Sequence, residues 1–134
     1  MKANKLAERG WQVFAGVLPG ANTSELNTSE NIIVVEQDVT SDASVKASAK
    51  TVEKHLGDRP LGLVINNAGI ANKGTGPVEG INMEEMKFLF DVNTFGPMRV
   101  CQAFLPMIRR GAGLSLIHIP SPRDRTRSRM PSSA

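Results

Sequence analysis

Apolar runs of strand length alternate along the chain with segments in which apolar residues recur at helical spacing. The strand-like runs are residues 12–17, 32–35 and 61–65, and two of them are apolar on both faces. Between the second and the third, apolar residues follow a helical period up to Gly57, at Val45, Ala49, Val52 and Leu56. This alternation predicts a parallel sheet covered by helices on both sides, which is a doubly wound α/β fold.

Local signals place the remaining elements. Residues 3–9 have the pattern of the last turns of a helix, with Gly10 in the position after its C-cap. Ser41 is a candidate N-cap for the helix that follows it, and Asn82, with Glu85 three residues later, resembles a capping box. We expect that box to open a long helical segment from residue 83 to about 110, followed by a fourth strand at 114–119.

Residues 120–134 differ from the rest of the chain, because Pro, Ser and Arg dominate and nothing apolar recurs. We expect a disordered tail here. The tail contains four basic residues, Arg123, Arg125, Arg127 and Arg129, and one acidic residue, Asp124. Its net charge of four minus one equals the formal net charge of +3 of the whole chain. Residues 1–119 are therefore neutral on balance. The basic pI is a property of the tail and does not indicate a nucleic-acid-binding domain.

Length and composition describe one ordinary globular domain. The chain has 134 residues with 40% hydrophobic and 22% charged residues. No apolar run approaches the ~18 residues of a membrane span, and the N-terminus lacks an apolar signal core. The single cysteine, Cys101, cannot form an internal disulfide. We therefore predict a cytoplasmic protein. His55 and His118 have no companion ligands at metal-site spacing, so no metal site is predicted.

Three polar motifs follow or interrupt these elements, and two of them lie where parallel strands end and ligands commonly bind. Asp38 and Val39 come just after the second strand. A carboxylate there can accept a hydrogen bond from an adenine amino group. It can equally cap a turn before the next helix, which alone is the more common role.

The second motif is Asn66-Asn67-Ala68-Gly69, at the end of the third strand. Its small residues let a ligand approach the backbone, and its amides can bind ribose hydroxyls or cross-link strands. The alternative is an ordinary tight turn, because Asn and Gly favour turns.

The third motif is the sequence from Asp91 to Pro97, which lies inside the long helical segment. Pro97 has no N–H, so it cannot donate to the carbonyl group of Asn93, and we expect a kink there. A free carbonyl group inside a fold commonly binds an ordered water. The alternative is a helix broken into two at Gly96-Pro97.

Together these motifs resemble the short-chain dehydrogenase/reductase family over residues 1 to about 119. The resemblance implies a partial NAD(P)-binding Rossmann domain, with an incomplete Rossmann-like sheet. It implies that Asp38, Val39 and residues 66–69 bind NAD or NADP, with no preference readable. Asn93 matches the catalytic-site asparagine, whose carbonyl group holds a water in a proton relay. Many relatives dimerise through the helix near 83–110, so a homo-oligomer is a further expectation.

The sequence also departs from the family. The glycine-rich phosphate loop would precede the first helix, and the family's first strand would lie between the strands at 12–17 and 61–65. The two flanking strands could then pair directly. The catalytic Tyr-x-x-x-Lys is not matched, because the chain contains no tyrosine. Residues from about 114 onward are unlike the family, and we interpret them as foreign sequence.

The resemblance therefore implies a fragment of an oxidoreductase that oxidises an alcohol or reduces a carbonyl compound, inactive as written. A truncated paralogue that acts as a binding or regulatory partner is the alternative.

Overall fold

A computed structural model describes residues 2–26, 29–71, 78–111 and 116–118. Its helices and strands alternate in the order α1 (Lys2–Ala7), β1 (Val13–Val17), β2 (Ile32–Glu36), α2 (Asp42–Leu56) and β3 (Val64–Asn66). A short 3-10 helix (Val78–Gly80) precedes α3 (Met83–Phe90), a π-helical turn (Asp91–Phe95), α4 (Gly96–Arg109) and β4 (Leu116–His118). The predicted tail at 120–134 lies outside the described residues, as does most of the loop before the 3-10 helix.

The four described strands form two parallel pairs. β1 pairs with β2 in a register that joins Val13 to Ile32 and Val17 to Glu36. β3 pairs with β4 in a register that joins Val64 to Leu116. Within the described part of the chain β1 does not pair with β3, so the direct closure of the two strands does not occur. In the described residues the two pairs are connected by helix packing and not by a continuous ladder.

The predicted helix ends are formed by local sequence signals. α1 closes with Gly10 at φ +83°, where the Gly10 N–H donates to the Ala7 carbonyl oxygen and the Trp11 N–H donates to that of Leu6. This is the Schellman arrangement, which glycine permits without steric cost. Its turn occupies residues 8–10, so the helix ends two residues before the predicted end at residue 9. At α2 the Ser41 hydroxyl accepts from the Ser44 N–H.

The core lies between α2, α4 and the strands β2 and β3. The predicted apolar face of α2 is buried there, together with residues from the strands and from α4: Val35, Val45, Ala49, Val52, Leu56, Val64, Val100, Phe104, Met107 and Ile108. α1 contacts β1 and β2 but contributes no residue to this cluster. The observed mixture of helices with parallel strands confirms the predicted α/β class.

The third strand is shorter and lies later in the chain than the prediction of 61–65. The Leu61 N–H donates to the Met107 carbonyl oxygen on α4 at 3.2 Å, so this residue joins the helix layer and not the ladder. The strand therefore begins at Val64 and continues through Asn66. As a result Asn66, the first residue of the Asn-Asn-Ala-Gly motif, belongs to β3, and the other three residues of the motif follow the strand.

No helix in the described residues is both long enough and apolar enough to cross a bilayer.

Candidate functional site

The turn after β2 is organised by Asp38. Its carboxylate oxygen Oδ1 accepts from the Thr40 hydroxyl at 2.7 Å and from the Thr40 N–H at 2.9 Å. Its own N–H donates to the Ser44 hydroxyl oxygen at 2.9 Å. The hydrogen bonds from Thr40 hold the pKa of the Asp38 carboxyl below its usual value, and Arg99 adds a smaller effect. The carboxylate is thus ionised and held in a fixed position. It also forms the turn before α2, which was the alternative to a ligand-binding role.

The first amide of the second motif faces the interior. Asn66 is only 6% exposed, and its side-chain amide donates to the Sγ atom of Cys101 on α4 at 3.6 Å. This contact ties the end of β3 to α4, and it places Cys101 in a packing role. By contrast Asn67, Ala68 and Gly69 are exposed at the carboxyl end of the strand. The motif therefore has one buried residue that anchors it and three residues at the surface.

Asn93 connects the loop after β3 to the long helix. Its side-chain Oδ1 accepts from the Ile70 N–H at 2.8 Å, and its Nδ2 donates to the Ile70 carbonyl oxygen at 2.7 Å. One amide thus pairs with both backbone groups of a residue 23 positions earlier in the chain. Gly69 lies beside this pair, since a Cβ atom there would sit 3.3 Å from the Asn93 Oδ1. The last residue of the second motif and the Asn of the third are therefore neighbours.

A π-helical turn carries Asn93. The segment Asp91–Phe95 interrupts the α-helix, and the Gly96 N–H donates to the Asp91 carbonyl oxygen five residues earlier. The helix then continues through Pro97 as α4, so the alternative of two separate helices is not observed. The π-turn accommodates Pro97, because its extra residue changes which backbone N–H groups must donate to the carbonyl groups of the preceding turn. Single π-turns of this kind are rare in proteins overall, but those that occur are often found at functional sites.

The turn after β2 also contacts this helix at Gly96, where there is no room for a side chain. A Cβ atom on Gly96 would lie 2.9 Å from the Val39 Cγ2 and 3.0 Å from its Cβ. Because real Cβ atoms essentially never approach so closely, glycine is required for the contact with Val39. Asp38 and Val39 are therefore brought to the same end of the fold as Asn93.

Arg99 forms a second connection between these segments. Its guanidinium group donates to the Asp42 carboxylate at 2.7 Å, to the Asp91 carboxylate at 2.7 Å and to the Val39 carbonyl oxygen at 3.1 Å. Hydrogen bonding to Asp91, more than to Asp42, raises the pKa of Arg99 above its already high value. The cation is thus permanent, and it joins α2, the turn after β2 and the π-turn.

The structure thus brings the three predicted motifs to one end of the fold. Residues 69 and 70 contact Asn93 directly, and Val39 meets the same helix one turn later. Among the described residues, the hydrogen bonds of Asp38 go to Thr40 and Ser44. Sequence reasoning missed Ile70, Gly96 and Arg99. A glycine before proline was visible in the sequence as a signal for Gly96, but nothing local marks Arg99.

Among the residues that the structure describes, no group of three or more His, Cys, Asp or Glu side chains could hold a metal ion.

Known proteins resemble this chain in sequence and in fold over most of its length. Estradiol 17-beta-dehydrogenase 2 of Mus musculus is 35% identical over 125 residues, which are 89% of this chain and 32% of that protein. Retinol dehydrogenase 16 of Mus musculus is 34% identical over 113 residues, covering 83% of this chain and 35% of that protein. The chain therefore spans only 32% and 35% of the length of these two curated relatives.

A solved structure, NADPH-bound carbonyl reductase from chicken fatty liver, matches with a TM-score of 0.68 and 33% identity, over 76% of this chain and 42% of that chain. The family model described as short chain dehydrogenase matches residues 2–129. Since that match covers nearly the whole sequence and the fold agrees with it, the chain belongs to the short-chain dehydrogenase family.

Proposed function

We propose that these residues form the cofactor-holding part of an NAD(P)-dependent short-chain oxidoreductase, which oxidises an alcohol or reduces a carbonyl compound. The observation that carries this proposal is the paired hydrogen bond between the Asn93 amide and the Ile70 backbone. It joins the exposed strand-end loop to the π-turn, so that a ligand on the loop would lie next to Asn93. Family membership supplies the nature of that ligand.

The residues present fit two parts of a nicotinamide dinucleotide. Asp38 offers an ionised carboxylate whose Oδ2 makes no hydrogen bond within the described part of the chain. That oxygen is suited to accept from an adenine amino group, beside Val39. The exposed small residues Ala68 and Gly69 leave the backbone accessible to a ribose. In the proposal Asn66, which is buried against Cys101, holds the strand end in place for them.

In the proposed reaction Asn93 has a backbone and a side-chain role. Its side chain pairs with both backbone groups of Ile70, so it fixes the π-turn relative to the loop. Its carbonyl group is proposed to hold a water of the proton relay, because Pro97 supplies no N–H to that part of the helix. The bound nicotinamide would accept or give the hydride.

The proposed substrate class is broad. The relatives named above are dehydrogenases of estradiol and of retinol, and the matching structure is a carbonyl reductase. All three names refer to interconversion of an alcohol and a carbonyl group. We therefore propose that class of reaction for the whole enzyme to which these residues correspond, and no individual substrate.

The 134 residues contain neither a tyrosine nor the T-G-x-x-x-G-x-G pattern of the family's phosphate loop. We therefore propose that this chain by itself is inactive. The alternative proposal is a non-catalytic role as a binding or regulatory partner. Both proposals predict a folded chain without turnover, so detectable turnover by the purified chain would contradict both of them.

A homo-oligomer is proposed through the surface of α3, the π-turn and α4. Large apolar side chains are exposed there, namely Met83, Phe88, Phe90, Phe95 and Met98. Such side chains in one region favour burial against a partner. Light scattering is expected to give twice the chain mass of 14.4 kDa, and Phe88→Glu is expected to return the mass to that of the monomer. A wild-type chain that is monomeric at all concentrations would contradict the proposal.

The cofactor proposal is tested by titrating the labelled chain with NAD and with NADP while recording amide NMR shifts. We expect the shifts to concentrate at residues 38–40 and 67–70. Ala68→Glu adds a large anion to the exposed loop without disturbing the core, so affinity should fall by about tenfold or more. Ala47→Glu, on the exposed side of α2, is the matched control and should bind as the wild type does. Shifts that are absent, or unaffected by Ala68→Glu, would contradict the proposal.

A further inference from the structure

Arg99 is the point at which three separate segments of the fold are joined through one side chain. Its Nε atom donates to Asp42 in the first turn of α2. One of its terminal nitrogens donates to the Val39 carbonyl oxygen and pairs with the Asp91 carboxylate at 2.7 Å. The same nitrogen lies 3.5 Å from the Asp91 carbonyl oxygen, which also accepts the π-helical hydrogen bond from Gly96.

The chemistry of this position is specific to arginine. A guanidinium group presents five donors in a rigid planar fork, whereas a lysine presents a single point charge on a flexible stem. Only the fork can reach two carboxylates and a carbonyl oxygen that lie in different directions. The Arg99 side chain is 24% exposed and that of Asp91 is 32% exposed, so this pair is better shielded from water than an ordinary surface ion pair, whereas Asp42 is 72% exposed.

The two ends of the proposed cofactor site are each held by their own hydrogen bonds. At one end the Asp38 turn is closed by its own bonds to Thr40 and Ser44. At the other end Asn93 is paired with Ile70. Between these ends, Val39 packs on Gly96 and Arg99 donates hydrogen bonds. The packing resists both approach and separation, and the hydrogen bonds of Arg99 add a directional restraint that fixes how the two turns face each other.

We propose that Arg99 is a positioning residue that sets the distance between the turn at Asp38 and Val39 and the π-turn at Asn93. Its hydrogen bonds among the described residues go to Val39, Asp42 and Asp91, and so to the backbone and the flanking residues of the two turns rather than to the Asp38 carboxylate or to Asn93. It matters for a ligand that spans both ends, and much less for a ligand that occupies one end. The inference rests on the proposed function for the identity of that ligand, but the connection between the two turns can be tested without it.

The experiment compares the affinities of the chain for NAD and for 5′-AMP, which represents the adenosine end alone. The variants are Arg99→Gln, Arg99→Lys and, as a matched control, Arg110→Gln. Arg110 lies at the end of α4 and pairs with Glu53 on α2, so it also joins these two helices, but away from the turns. Thermal unfolding by circular dichroism establishes that each variant is folded at the temperature of the titration.

With Arg99→Gln we expect the affinity for NAD to fall about tenfold and that for 5′-AMP to change by less than about twofold. Arg99→Lys restores the charge but not the fork, so it should recover only part of the affinity for NAD. Arg110→Gln should leave both affinities unchanged. Equal losses for NAD and 5′-AMP, no loss at all, or complete recovery with lysine would each overturn the positioning role.

Amide NMR shifts of the unliganded variants separate failure of this inference from failure of the proposed function. Arg99→Gln should shift the amides of both Thr40 and Ile70, whereas Arg110→Gln should shift neither. If the wild-type chain binds neither nucleotide, the proposed function fails, and the connection between the turns stands on these shifts. If only one of the two amides responds, the connection is overturned whatever the chain binds.

Discussion

The purified chain is expected to show no NAD(P)-dependent oxidation of an alcohol and no reduction of a carbonyl compound. Proton transfer from a positioned side chain typically contributes about 10²–10⁴ in rate, and the family's general acid/base is a tyrosine. The 134 residues contain none. In the proposed mechanism the Asn93 carbonyl group holds a water, but a water without a positioned acid behind it cannot replace that residue. We therefore expect turnover below detection even at saturating cofactor.

The measurement is the change in NAD(P)H absorbance with retinol, estradiol and simpler alcohols and ketones as probes, at high enzyme concentration. The Asn93→Ala variant is the control for contaminating dehydrogenases, since it should match the wild-type chain. Turnover that persists through purification and disappears in Asn93→Ala would contradict the prediction. A folded chain that binds NAD but does not turn over would leave the role of a binding or regulatory partner as the working proposal.

Ile108→Ala is expected to remove a large part of the stability of the fold. Ile108 is 0% exposed and lies in the cluster that joins α4 to α2 and to the strands. Replacing a buried isoleucine by alanine costs about 2–5 kcal/mol, against a total of about 5–15 kcal/mol for a typical domain. The effect should be severe here, because the strands form two separate pairs and the helix layer is what connects them.

Urea denaturation followed by circular dichroism measures this free energy of unfolding. If Ile108→Ala does not fold, Ile108→Val keeps the prediction testable, because it should cost only about 0.5–1.5 kcal/mol. Gln102→Ala is the control on the same helix: Gln102 is exposed, so its truncation should change stability by less than about 0.5 kcal/mol. Equal effects at Gln102 and Ile108 would mean that α4 is not packed as described.

The open edges of β1 and β3 follow from the same arrangement. Within the described residues each of these strands is paired on one side only. Unpaired strand edges are sites at which chains associate, so β1 and β3 offer a route to aggregation that does not involve the apolar surface of α3 and α4. The oligomer experiment can separate the two routes, because Phe88→Glu acts only on the second.

The local elements could be predicted from the sequence because their causes are local. Ser41 caps α2 through a hydrogen bond three residues away, and the apolar face of that helix has its own period. Gly10 ends α1 because only a residue without a Cβ atom takes its positive φ at no cost. The three polar motifs could be located as well, since each follows an apolar strand or interrupts a helix at a proline.

What only the tertiary structure decided is how those motifs are connected. Asn66 faces inward and donates to Cys101 of α4, and Asn93, which lies on the π-turn, pairs with Ile70. Arg99 meets Asp42 and Val39 across 57 and 60 residues of sequence. No period, cap or turn signal reports such contacts. They depend on which elements pack together, and packing is settled by the whole fold and not by any one segment.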